Sequence, residues 1–167
     1  MMENRNIAKK RMMFIQKEDY NFLTYNILLI LKELDANTEQ TKFKDFRKIA
    51  YLIHFVSFNH DFNKYDKNEL SRIYSKSQLK KQLISHLLVI LKNSNYIGVS
   101  INRTHQSFDL WLKSENIPDG FLNSNLFEKE IKNINLLRSI IPRLKGITVK
   151  KMVESIFTNN NVITWEI

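Results

Sequence analysis

The chain has 167 residues, 43 % of them apolar, which allows one sizeable core, and a formal charge of +9, which fits either an anionic partner or simply the Lys excess of a chain rich in Asn, Lys and Ile throughout. It contains no cysteine, which excludes a disulfide framework and a thiolate zinc site, and its 3 glycines are too few for a phosphate-cradling glycine-rich loop. The longest apolar runs, Ile27 to Leu31 and Leu87 to Leu91, are far short of a membrane span, and the charged N-terminus has no long apolar stretch behind it; the expectation is a cytoplasmic protein of bacterial type with no membrane partner.

Residues 1–12 read as a flexible basic arm carrying Arg5, Lys9, Lys10 and Arg11. Apolar residues at 20, 23, 27, 30, 31 and 34 predict a helix with a wide apolar face. A polar loop over 35–42 leads to a second helix over about 43–57, with Phe43, Phe46, Ile49, Ala50, Ile53 and Val56 inward. Phe58 to Tyr65 mixes aromatics with polar residues and has no period; it is either a loop pinned by its aromatics or a surface used for binding. Asp66 and Glu69 have capping-box spacing and open a short helix near 67–74. Ser77 is placed to cap a separate helix that runs to about Lys92, with Leu79, Leu83, Ile84, Leu87, Ile90 and Leu91 as its buried stripe.

The stretch NYIGVSINRTHQSFDLWL, 95–112, follows at once. Ile97, Val99 and Ile101 alternate with Tyr96, Gly98 and Ser100, and Phe108, Leu110 and Leu112 alternate with Asp109, Trp111 and Lys113. This predicts a β-hairpin with one buried face and a polar tip at 102–107. Pro118-Asp119-Gly120 marks a turn and a boundary. Asn125 and Glu128 offer a second capping box before a helix over 126–140. A last helix is predicted over 148–157, then a turn at 159–161 and a terminal strand over 162–167 with Ile163, Trp165 and Ile167 on one face; Trp165 is expected to pack into the fold, with the hairpin's edge as one place where it could lock the strand. The fold class is therefore mainly α (α+β): a winged-helix-like domain over 13–115 with the hairpin as its wing, and a C-terminal helical extension over 116–167 that packs on it and ends in a short strand.

No catalytic constellation emerges, so the expectation is a protein that is not an enzyme and needs no cofactor, metal or small-molecule substrate. His54, His60, His86 and His105 lack ligand spacing. Asp119 followed by Glu130-Ile131-Lys132 matches a loose nuclease pattern, but Glu130 and Lys132 fall inside a helix-periodic segment where such enzymes use a strand.

A DNA-reading winged helix would place the 77–92 helix in the major groove. Lys80 and Lys81 on that helix, with Arg103 and His105 at the hairpin tip, are the candidate nucleic-acid contacts, and double-stranded DNA is the candidate ligand. Only 7 of the 26 basic residues are Arg, the side chain suited to bidentate phosphate and base contacts. By alternation Trp111 faces away from Phe108, Leu110 and Leu112, either exposed beside Tyr96 or covered by the C-terminal part; Tyr96 and Trp111 are the candidate protein-interface residues.

NILLILKEL, FKDFRKIAYLIHFVS, LISHLLVILKNSNYIGV running into the wing, and ITVKKMVESIFTNNNVITWEI at the end occur in an order that resembles the middle components of bacterial three-component ABC-ATPase systems, including the Lamassu-type anti-phage defence systems. The resemblance covers roughly residues 20–167 and rests on pattern. It implies a non-catalytic accessory subunit that joins a large SMC-like ATPase to an effector, often a nuclease, in a complex that responds to foreign DNA. The alternatives are a stand-alone winged-helix DNA-binding regulator and a small phage or plasmid inhibitor protein.

Overall fold

The computed structural model describes residues 20–165. Among them the chain forms a mixed α/β fold of five helices and a two-stranded antiparallel hairpin. Helix α1 covers 20–33, α2 Arg47–Ser57 and α3 Lys67–Asn93; the hairpin is β1 Ile97–Asn102 and β2 Ser107–Leu112; α4 is Glu128–Ile140 and α5 Val149–Ile156. None of the described helices is long and apolar enough to cross a membrane.

Helix α2 is apolar nearly all round, and only an element packed on every side can keep such a surface from water. It is buried from Lys48 to Val56 except at His54, and α3, α4 and α5 all pack against it. The expected helix over 43–57 starts later than its apolar pattern, because Phe43 pairs with a strand and Asp45 sits at φ 63.

The capping box at the start of α3 is present: the Asp66 amide donates to Glu69 Oε2 and the Glu69 amide to Asp66 Oδ1, both at 2.8 Å. The two helices expected over 67–74 and 77–92 are one helix of 27 residues. Ser77 caps nothing; it is buried mid-helix with its hydroxyl donating to the Ile73 carbonyl at 2.7 Å. A continuous helix also resets the stripe. Leu70, Ile73, Tyr74, Ser77, Ile84, Leu87, Leu88 and Leu91 face the core, while Leu79 and Ile90 are 71 % and 56 % exposed.

The hairpin register pairs Ile97 with Leu112, Val99 with Leu110 and Ile101 with Phe108. Its apolar face is buried only at the base, through Ile97, Leu110 and Leu112; towards the tip Ile101 and Phe108 stand in solvent. On the opposite face the Trp111 ring lies across Gly98, filling the space a Cβ would need. The outer edge of β2 is covered by the segment before α2. Phe43 and Leu110 exchange both backbone hydrogen bonds, at 2.7 and 2.9 Å, the Phe46 amide donates to the Phe108 carbonyl and the Leu112 amide to that of Ala36.

Helix α4 lacks the expected Asn125–Glu128 box: Phe127 sits at its N-cap with no side-chain cap, and the Asn125 amide instead donates to the Asn123 side chain at 2.9 Å. The loop before it is held by Tyr25, whose ring lies 4.9 Å from Phe121 and 5.0 Å from Phe127. Phe58 to Tyr65 is a loop pinned by aromatics, with Phe62 buried, Tyr65 edge-on to Phe55 at 5.5 Å and the Tyr65 hydroxyl donating to the Asn59 carbonyl. Residues 162–165 form no strand. Trp165 is 58 % exposed and meets Tyr74 of α3 edge-on at 4.7 Å, not the hairpin. The expected basic arm over 1–12 and Ile167 lie outside the described residues. A single buried cluster runs from Leu23 to Val162, with members on both sides of residue 116.

Candidate functional site at the hairpin tip

Where the tip of the hairpin leaves the core, it leans over the entrance to α2 and the start of α5 and encloses an open cavity of about 450 Å³. The floor is acidic. Asp45 and Asp109 are both buried. Asp109 Oδ1 accepts from the Asp45 amide at 2.8 Å and from Asn102 Nδ2 at 3.0 Å, and Oδ2 lies 3.2 Å from Lys42 Nζ. Asp45 accepts from Arg47 Nε at 2.9 Å, from Arg47 Nη2 at 2.7 Å and from the Ser107 hydroxyl at 2.7 Å. Burial pushes the Asp45 carboxyl up, but the bonds from Arg47 and Ser107 outweigh it and hold the group below the usual carboxylate range. Both carboxylates are thus matched by cations and hydrogen-bond donors, and they fasten the hairpin to the first turn of α2.

Lys48 lies behind this floor and is fully buried. Its Nζ donates to the carbonyls of Leu144 and Lys145 at 2.7 and 3.0 Å and lies 4.4 Å from the centre of the Phe43 ring. Burial pushes its pKa down to about 7 against the opposing pull of Asp45 and Asp109.

The rim is cationic. Lys42 and Lys44 come from the edge segment, Arg103 and His105 from the hairpin tip, and Gly146, Ile147 and Thr148 close the far side. Of the four expected nucleic-acid contacts, Arg103 and His105 meet here. Lys81 is linked to them only indirectly. It is half-buried, donates to Gln78 Oε1 at 3.0 Å and lies over the Tyr51 ring at 4.8 Å, and burial pushes its pKa down to about 8. Arg47 separates it from the tip, donating to the His105 carbonyl at 3.3 Å. Lys80 points elsewhere: burial lowers the pKa of His54, and the charges of Lys80 and Lys76 lower it further. Lys42, Lys44, Asp45, Arg47 and Asp109 were not singled out from sequence. Their one signal is Asp109, an acid in the middle of a strand otherwise rich in apolar residues.

The expected protein-interface residues are both half-buried: Tyr96 packs towards Phe121, with ring centroids 6.4 Å apart, and Trp111 covers Gly98. One exposed apolar surface lies on the other face of the hairpin. Ile101 is 70 % and Val89 58 % exposed, and a shallow groove of about 140 Å³ runs between α3 and the hairpin, lined by Ser85, Leu88, Val89, Lys92, Val99 and Phe108. Among the described residues no three His, Asp or Glu side chains converge as metal ligands would, and Glu130 and Lys132 lie within α4. No family model, no curated protein and no solved structure matches this chain.

Proposed function

We propose that the protein is a non-catalytic accessory subunit of an SMC-like ATPase anti-phage defence complex, joining the ATPase to an effector nuclease through a winged-helix-like domain. The observation that carries this reading is the apolar surface along the groove between α3 and the hairpin, where Val89 meets Val99 and Phe108 and Ile101 stands exposed further along the strand; Leu79 and Ile90 add exposed apolar positions elsewhere on the outward side of α3. A helix that reads duplex DNA needs donors and acceptors for base edges on its outward face. Here that face is interrupted by aliphatic side chains, which suit a protein partner. The element order α1, edge segment, α2, α3, β1, β2 supports the winged-helix-like description, with the Phe43–Leu110 pairing in the place of a short third strand. The resemblance in sequence pattern supplies the class of partner.

The test is affinity capture from the native host after nuclease treatment and a moderate-salt wash. A coiled-coil ATPase is expected in the eluate, and it should be lost with Val89→Glu/Ile101→Asp. Recovery of the protein alone, from cells that express its genomic neighbours, would reject the reading. A stand-alone DNA-binding regulator would behave in that second way.

A further inference from the structure

We infer that the cavity at the hairpin tip binds a phosphate group, carried by a nucleotide or by a nucleic-acid strand. Three features support this, none of which depends on the accessory-subunit reading. The first is the state of the floor. Asp45 and Asp109 would repel an anion if they were unpaired, but each is matched, Asp45 by Arg47 and Asp109 by Lys42. The second is the charge left over on the rim. Lys44 and Arg103 are exposed and make no ion pair with any carboxylate among the described residues, and both line the cavity, from separate segments of the chain. Two cations converging on one concave space, with His105 beside them, offer an anion several donors at once. The third is the far wall. Thr148 caps α5 by accepting from the Lys151 amide at 3.2 Å, so the first turn of that helix starts at the cavity and adds its partial positive charge. The cavity's size, about 450 Å³, is within the range of small-ligand sites. This places the anion contact on Lys44, Arg103 and His105, away from Lys80.

The experiment is an amide-resolved NMR titration of the full-length protein with inorganic phosphate, adenosine monophosphate and a thymidine oligonucleotide of about 12 residues, a length within the site sizes of single-strand binders. Saturable shifts are expected at 103–106 and 147–149. Lys44→Gln/Arg103→Gln, which alters only exposed side chains, should keep the circular dichroism spectrum and weaken binding about tenfold or more. Lys80→Gln should bind as the parent does. For the oligonucleotide, the slope of log affinity against log salt should fall by about 1.4 in the double variant, the amount two lost phosphate contacts imply on a single strand. Saturation by all three probes supports a site for free nucleotide phosphate; saturation by the oligonucleotide alone supports a site for a strand. Shifts that never saturate at the cavity, or oligonucleotide binding that the double variant leaves unchanged, would overturn the proposal.

Discussion

Lys48 shows how one residue can tie a fold to pH. The unfolded chain holds a proton on this lysine up to its ordinary pKa of 10.5, whereas the folded chain holds it only up to about 7. Between those values the unfolded state binds more protons, so stability rises with pH, by at most about 1.4 kcal/mol per pH unit from a single group. Below about 7 the penalty for charging the buried amine is complete. Lys81, pushed down to about 8, adds a smaller term of the same sign, reduced by its exposure to solvent. Urea unfolding at pH 7 and pH 9 should find the protein more stable at pH 9, and Lys48→Met should remove most of that gain. A wild-type stability that is flat across this range would show that the Lys48 ammonium is well accommodated where it lies. Nothing in the sequence marked Lys48. A lysine inside a helical pattern reads as a solvated position, and its two carbonyl partners lie almost a hundred residues further on.

At the level of elements, the hairpin and α3 show what local pattern can and cannot specify. The strand alternation predicts the hairpin and which residues share a face, because side chains on a pleated strand change face at every residue, and the observed pairing keeps those residues together. It could not say how far along the strands the core extends, so Ile101 and Phe108 were expected inside and are outside. The error on α3 has a different cause. A helix started at Ser77 leaves its stripe free to include Leu79 and Ile90; a helix started at Lys67 must continue the line of Leu70, Ile73 and Tyr74, which turns both residues outward. At the hairpin the packing of Trp111 on Gly98 makes a sharp prediction. Gly98→Ala puts a methyl group where the indole lies, so the ring must move. It should cost about 1–3 kcal/mol, as overpacking does, and shift Trp111 emission to the red. Ser100→Ala, two residues along on the same face, should leave the emission unchanged. An unshifted spectrum in Gly98→Ala would mean that the ring does not rest on the strand.

For the whole molecule, the question is whether the C-terminal helices are an appendage or part of one cooperative unit. Sequence punctuation at Pro118 and Gly120 suggested a boundary at 116, and a turn does occur there. Turn chemistry reports chain direction, however, and says nothing of which surfaces a later helix will cover. The long-range contacts point to one unit. Asn133 of α4 is buried and donates to the Val56 carbonyl at 2.8 Å, satisfying a buried carbonyl in the last turn of α2 that has no partner within the helix. Arg138, one and a half turns later, donates to the Glu33 carbonyl at 3.1 Å and to Asp35 at 3.2 Å, closing α1 in the same way. Helix α2 therefore has its final turn completed by a residue beyond the expected boundary. Asn133→Ala should leave the Val56 carbonyl buried and unpaired, at a cost of about 1–3 kcal/mol. In a Trp165→Phe background, emission reports the hairpin through Trp111, while circular dichroism reports all the helices. Both unfolding curves should shift together to lower denaturant with an unchanged slope, as a two-state unit requires. If the dichroism curve shifted while the Trp111 curve stayed in place, α4 and α5 would unfold independently, and the boundary at 116 would be energetic as well as topological.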